Sequence, residues 1–171
     1  MSTLFKDRKP VDDTWVHLDG EQPIPQGADV ILPLARYIDD PKQVSGRVGV
    51  FVEAGEQIEA LRDHMDAIDL IALDFPTYAD GRAFSKARLL RDEWAYAGEI
   101  RAVGDVRIDQ VLFMERCGFT SLLVSHQPTI DSLLAGQDPG ISFYYQPAAE
   151  NAPVPMAAEQ TARPWLRRRS V

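Results

Sequence analysis

From residue 48 onward, apolar runs alternate with segments in which apolar residues recur at helical spacing. Residues 48–52 form one apolar run and residues 70–73 form another. Between them lie four apolar residues three or four positions apart: Ile58, Leu61, Met65 and Ile68. A continuous apolar run is typical of a strand buried on both faces, and this spacing is typical of an amphipathic helix. The segment therefore predicts strand, helix, strand.

The alternation continues toward the C-terminus. A helix is predicted from Ala83 or Phe84 to Tyr96, ended by Gly98. The pattern then predicts a strand at 100–103, a helix from about 106 to 117 ended by Gly118, a strand at 120–124, a short helix at 129–134 and a last strand at 142–145. This order predicts an α/β fold with a mostly parallel sheet of about four to five βα units, either an open sheet or a partial βα barrel. Four units are too few for a closed eight-stranded barrel.

The two ends of the chain lack this rhythm. Residues 1–43 are interrupted by Pro23, Pro25, Pro33 and Pro41, and only 14–18 and 29–36 are expected to be ordered within an otherwise irregular segment. Residues 147–171 are rich in proline and alanine, which predicts a disordered tail. The Trp165 to Arg169 stretch near its end is either solvated or a docking peptide anchored by Trp165. We therefore expect one α/β domain, at 44–146.

Composition narrows the classes of partner. The 171 residues are 45% hydrophobic and carry a net charge of -8, which would repel nucleic acid and anionic membranes. Cys117 is the single cysteine, which excludes an intramolecular disulfide and any multi-thiolate metal site in one chain. There is no apolar run of eighteen residues and no apolar signal-peptide core, so we expect neither export nor membrane spanning. A reducing cytoplasm fits this composition.

Polar residues follow each predicted strand, at the edge where parallel α/β sheets bind ligands. Glu53, Asp74, Asp105 and His126 stand at or just after the four strand ends. We predict Asp74, Asp105 and His126 as candidate acid–base residues. Asp105, like Asp80, is alternatively explained as an N-cap of the following helix. Asp74 is harder to explain as a cap, because the proline after Phe75 keeps that residue extended.

Cations cluster on the helix that begins near residue 82. Arg82, Lys86 and Arg88 are predicted to bind a small anion, mainly through the first two. The alternative is a solvated helix face, in which Arg88 pairs with Asp92 one turn later. The chain lacks the glycine-rich dinucleotide and phosphate loops and the His-Glu-x-x-His zinc motif, so the cofactor is unidentified and no metal site is predicted. Cys117, at the end of a helix, is expected to be buried rather than reactive.

A series of motifs between residues 48 and 124 resembles one bacterial family. The motifs are Asp74-Phe75-Pro76, Asp80-Gly81-Arg82, Ser85, Ala87-Arg88-Leu89-Leu90-Arg91, Gly98-Glu99, Arg101-Ala102-Val103-Gly104-Asp105-Val106, Asp109-Gln110 and Arg116-Cys117-Gly118-Phe119. Together they resemble the domain-of-unknown-function 934 family, although Ala83 stands where that family usually has glycine. The resemblance implies a place in assimilatory sulfite reduction, beside sulfite reductase and phosphoadenylylsulfate reductase. It implies no catalytic residues, because the family has none assigned.

Two functions are consistent with these features. The first is a non-catalytic accessory protein that binds sulfite reductase or phosphoadenylylsulfate reductase, which agrees with the missing cofactor motifs. The second is a small oxidoreductase that acts on an anionic sulfur compound, with Arg82 holding the anion and a carboxylate moving a proton. We favour the accessory function and keep the enzyme as the alternative.

Overall fold

A single eight-stranded sheet organises the computed structural model, which describes residues 2–20, 22–41 and 44–137. The strands are β1 (Thr3–Lys6), β2 (Lys9–Val11), β3 (Val16–His17), β4 (Val30–Pro33), β5 (Val48–Val52), β6 (Leu70–Phe75), β7 (Glu99–Gly104) and β8 (Ser121–Val124). The helices are α1 (Leu34–Asp39), a 3₁₀ helix (Glu59–Ala67), α2 (Arg82–Arg88) continued by one π-helical turn (Leu89–Glu93), α3 (Ile108–Cys117) and α4 (Gln127–Leu134).

Strands β3 to β8 are parallel and lie side by side in sequence order. Strand β1 joins the β8 edge antiparallel, and β2 pairs antiparallel with β1. Since right-handed crossovers between sequential neighbours all turn the same way, the helices gather on one face and the sheet curls into a half-barrel. The predicted α/β class with a mostly parallel sheet is confirmed. The number of strands is larger than predicted, because β1 to β4 lie within the first 43 residues.

The two faces of the sheet have separate cores. On the convex face, strand residues such as Val50, Leu73 and Ala102 pack with buried helix residues such as Leu90 and Met114. The concave face has a small cluster of buried residues, namely Ile31, Leu70 and Ala72, against which Trp15, Phe51 and Val103 pack. Both faces of the sheet thus bury apolar residues, which explains why the strand sequences are largely apolar runs.

A short segment crosses the concave face from one edge of the sheet to the other. Residues 12–15, which we call the strap, connect β2 at one edge to β3 at the opposite edge. Five residue steps from Val11 to Val16 span at most about 18 Å. Seven strand spacings in a flat sheet would measure about 34 Å. The strap is compatible only with a strongly curled sheet.

Charged residues lie on the concave face beneath the strap. Arg101, on β7, is 1% exposed and donates from Nε and one terminal nitrogen to Oε1 of Glu99 at 3.0 and 2.9 Å. Glu99 also accepts hydrogen bonds from Lys6 and Ser121, each at 2.6 Å. The remaining Arg101 nitrogen donates to Asp13 of the strap at 2.9 Å. Because parallel strands β7 and β8 begin here, this network fills the amino half of the concave face.

Several predicted elements differ in detail. The segment with Leu61 is a 3₁₀ helix rather than an α-helix. The helix predicted to reach Tyr96 ends in its π-helical turn at Glu93, and Ala95 then adopts a positive φ of 51°. Gly118 does end α3, with a φ of 102°. The predicted strand at 142–145 and the tail at 147–171 lie outside the described residues.

Among the residues that the structure describes, no helix has both the length and the apolar character needed to cross a bilayer.

Candidate functional site

The carboxyl edge of the half-barrel carries the predicted acid–base residues. Asp74 is the fifth residue of β6, on the same face as Leu70 and Ala72, so its side chain belongs to the concave face. Asp105 directly follows β7. His126 follows β8 and immediately precedes α4. Parallel strands place their ends at one edge, as the sequence predicts.

Asp74 is a half-buried carboxyl group among other acids. Burial raises its pKa above the usual range for aspartate, and the nearby charges of Glu53 and Asp80 raise it further. Lys86 offsets part of this effect. The backbone beside Asp74 is tightly packed, because a Cβ at Gly104 would lie 2.9 Å from Oδ1 of Asp74. An acid with a raised pKa can hold a proton that an ordinary aspartate would release.

Asp105 anchors a second group of polar residues. Its carboxylate accepts hydrogen bonds from Nε of Arg107 at 2.5 Å and from the backbone N–H of Tyr78 at 3.1 Å. The hydrogen bond from Arg107 holds the pKa of Asp105 below its usual range. Gln110, in α3, donates to the Tyr78 carbonyl at 2.6 Å. Asp105 therefore fixes the loop after β6 instead of capping α3, which has no side-chain cap.

Arg107 connects Asp105 to His126. One terminal nitrogen of Arg107 lies 2.6 Å from Nε2 of His126, and Nδ1 of His126 lies 2.9 Å from the Thr129 hydroxyl. A guanidinium has only donors, so Nε2 must accept and the proton of a neutral ring must sit on Nδ1. In this arrangement Nε2 is not available to take a proton from a substrate. His126 thus orients a positive charge at the strand end.

The predicted anion-binding cations occupy three different settings. Arg82 donates to both carboxylate oxygens of Asp80, at 3.0 and 3.1 Å from Nε, and this pairing lowers the pKa of Asp80 to about 2. Lys86 donates to the backbone carbonyls of Glu53 and Ala54 at 2.7 and 3.0 Å. Burial lowers the pKa of Lys86. Lys86 and Asp80, the partner of Arg82, are close enough to Asp74 for their charges to act on it, and both cations are engaged within the chain.

Arg88 stands apart from the carboxyl edge. It forms the predicted ion pair with Asp92 one helical turn later, at 2.8 Å. Both residues line a shallow groove of about 500 Å³ between α2 and α3, together with Phe84, Leu89, Phe113 and Cys117. Cys117 is buried, as predicted, and burial raises the pKa of its thiol. Arg88 is thus a residue of the helical surface.

The edge residues form two neighbouring groups. One contains Glu53, Asp74, Asp80, Arg82 and Lys86, and the other contains Tyr78, Asp105, Arg107, Gln110, His126 and Thr129. The loop after β6 joins them, since Tyr78 lies two residues from Asp80 and contacts Asp105. Within the described ranges, no three His, Cys, Asp or Glu side chains are placed to hold a metal ion.

Sequence reasoning missed Arg107 and the strap. Arg107 precedes α3 without any recognisable motif, and its only signal was its position two residues after the strand-end Asp105. An open cleft of about 730 Å³ also lies beside the strap, against β1, β8 and α4. None of the six predicted site residues lines that cleft.

Comparison with known proteins bears on the family alone. No curated protein matches the chain. Residues 49–156, which are more than half of the chain, match a family described as "Bacterial protein of unknown function (DUF934)". The resemblance seen in the strand-end motifs is thereby confirmed, and the chain belongs to the DUF934 family.

Proposed function

We propose that this protein is a cytoplasmic accessory protein of assimilatory sulfite reduction, which supports sulfite reductase by binding to it or to phosphoadenylylsulfate reductase. The observation that supports binding over catalysis is the state of the cations at the carboxyl edge. Arg82 is engaged by Asp80, Lys86 by two carbonyls, and Arg107 by Asp105 and His126. An anion at this edge would therefore compete with these internal partners for the guanidinium and ammonium groups.

The groove between α2 and α3 is the surface we assign to the partner. Phe113 is 40% exposed, and its ring centroid lies 4.6 Å from that of Phe84. Leu89 and the Arg88–Asp92 ion pair border the same groove. An exposed aromatic residue beside apolar and paired charged groups is the composition expected of a protein-binding site.

The binding experiment compares tagged full-length chains recovered from cells grown on sulfate. Wild type should co-purify with sulfite reductase or phosphoadenylylsulfate reductase, and Phe113→Glu should lose at least tenfold of the recovered partner. Leu134→Glu is the matched control, because Leu134 is 58% exposed on α4 and does not line the groove. Equal recovery with both variants would remove the groove as the binding surface, and no recovery with wild type would contradict the accessory function.

The pathway is tested by growth of a deletion strain. Failure on sulfite with rescue by sulfide would locate the protein at the reductase step. Equal growth on both sulfur sources would contradict the proposed pathway.

The environment of Asp74 supports the alternative function, a small oxidoreductase that acts on an anionic sulfur compound. Its side chain faces the concave side at the carboxyl edge, and its pKa is raised by burial. Complementation of the deletion strain with Asp74→Asn separates the two functions. An accessory protein should still restore growth on sulfite, whereas an enzyme that uses Asp74 as its acid should not.

A further inference from the structure

Arg101 is nearly inaccessible, and it lies on the face of the sheet that the strap crosses. Its side chain is 1% exposed, and it projects from the middle of β7 toward the strap. Burying a guanidinium is costly unless its donors are paired. Two of its nitrogens donate to Glu99, within the sheet itself. The third donates to Asp13, which is 88 residues away in sequence.

The Asp13 carboxylate holds both the arginine and the strap. Oδ2 of Asp13 accepts from Arg101 at 2.9 Å, and Oδ1 accepts from the backbone N–H of Trp15 at 3.2 Å. The Trp15 side chain packs on the concave cluster, and the guanidinium of Arg47 lies 4.9 Å from the centre of its ring. The side chain of Asp13 remains 29% exposed, so solvent reaches this carboxylate.

The ion pairs of Arg101 belong to one hydrogen-bonded network. It contains two cations, Lys6 and Arg101, and two anions, Glu99 and Asp13. Hydrogen bonds from Lys6 and Ser121 and the charge of Arg101 outweigh burial and hold the pKa of Glu99 below its usual range. Within this network the four charges sum to zero. Without Asp13, one positive charge would remain in the network and one nitrogen of Arg101 would lose its acceptor. A single carboxylate-sized anion would replace both.

We propose that Arg101 is an anion-binding residue whose site is occupied by Asp13 of the strap, and that a small carboxylate or sulfite ion binds there when the strap moves aside. Asp13 acts as a tethered competitor, because a group on the same chain is present at a high effective concentration. This site lies in the amino half of the concave face, apart from the carboxyl-edge residues and from the α2–α3 groove. The inference about this anion site therefore does not depend on the proposed accessory function.

Acetate is the direct probe, since it reproduces the Asp13 carboxylate as a free ion. The experiment uses full-length protein with Trp94→Phe and Trp165→Phe, which leaves Trp15 as the only tryptophan. Asp13→Ala should shift Trp15 emission to the red, and acetate should reverse the shift. The acetate concentration at half-saturation should be at least tenfold lower for Asp13→Ala than for protein with the wild-type strap. Chloride keeps the ionic strength constant during the titration. A parallel titration with sulfite distinguishes a carboxylate ligand from a sulfur oxyanion.

Asp12→Ala is the matched control, because Asp12 is the exposed neighbouring carboxylate of the strap. It should respond to both anions as the unchanged strap does. In the Asp13→Ala background, Arg101→Lys should weaken binding of the preferred anion at least tenfold, with circular dichroism checking the fold. If Arg101→Lys does not fold, the comparison of Asp13→Ala with Asp12→Ala still tests whether Asp13 occupies an anion site. Equal responses of those two variants to both acetate and sulfite would overturn the proposal.

Discussion

Arg107 donates to Nε2 of His126 at a distance of 2.6 Å, which fixes the role of that histidine. The same guanidinium is bound to Asp105, so a carboxylate, a guanidinium and an imidazole form one chain of hydrogen bonds. The Thr129 hydroxyl completes the chain at Nδ1. The histidine is therefore part of a structural connection between the ends of β7 and β8.

The first prediction is the tautomer of His126. Since Arg107 can only donate, the neutral ring should carry its proton on Nδ1. Nitrogen chemical shifts of the imidazole, read in a long-range ¹H–¹⁵N spectrum above pH 8, check this directly. In Arg107→Gln the preference for this tautomer should weaken. A ring protonated on Nε2 in the wild type would contradict the hydrogen-bond arrangement.

The second prediction concerns Asp74 and pH. Its folded-state pKa is raised, chiefly by burial, so its favourable contribution is complete below the unfolded pKa of about 3.9. That contribution is lost as pH rises through the higher folded value. Asp74→Asn does not titrate, so its stability relative to wild type should increase from pH 3 to pH 7 in urea unfolding.

Asp66→Asn is the control for this pH dependence, because Asp66 is exposed on the 3₁₀ helix. The difference in free energy of unfolding between Asp66→Asn and wild type should change less with pH than the difference between Asp74→Asn and wild type. An Asp74→Asn curve parallel to wild type at every pH would show that burial does not disfavour the Asp74 charge.

The third prediction separates backbone strain from close packing. Gly104 and Gly136 both have positive φ, 97° and 67°. A Cβ at Gly136 would meet nothing within 4 Å, whereas one at Gly104 would crowd Asp74 and the Phe75 backbone. Gly136→Ala should therefore cost about 1 kcal/mol in the free energy of unfolding, from the backbone alone. Gly104→Ala should cost about 2 kcal/mol or more, measured by the same denaturation. Equal costs would mean that the packing around Asp74 relaxes easily.

The fourth prediction tests a buried hydrogen bond. The Tyr96 hydroxyl donates to the Ile68 carbonyl at 3.1 Å, which joins the loop before β7 to the loop before β6. Tyr96→Phe removes the donor and leaves a buried carbonyl, which should cost about 1 kcal/mol of stability. Tyr78→Phe, at a residue that is 56% exposed, should change it little. Thermal and urea unfolding of the two variants provide the comparison.

The central strands could be predicted because each is a mostly apolar run, interrupted in β7 by Arg101. Strands β5 to β8 and the end of α3 at Gly118 lie close to their predicted positions, since burial on both faces leaves a strong signal. Strands β1 to β4 are only two to four residues long. The hairpin between β1 and β2 turns through Asp7 and Arg8, both with positive φ, without the glycine or asparagine that usually marks such a turn. Strands β3 and β4 lie within 14–18 and 29–36, the two stretches of the first 43 residues that the sequence predicts to be ordered. Strands β1 and β2, which are short and joined by an unusual turn, gave no periodicity to detect.

Some polar residues could be placed from the sequence and others could not. Strand-end residues were predictable because the topology of a parallel sheet brings them together at one edge. The role of Arg101 could not be predicted, because its hydrogen-bond acceptors, Asp13 and Glu99, can be identified only when the strap and the sheet are known. A charged residue within an apolar run indicates a buried ion pair, but the sequence does not show which residues pair with it.

The strap also acts as a chord drawn across the arc of the sheet. Its fixed length limits how far the two outer strands can separate, and therefore how flat the arc can become. Curvature in this protein is thus set partly by the number of residues in a connection. Lengthening the strap with glycine and serine would let the arc open, while shortening it would pull the edges together or detach the two-residue strand β3.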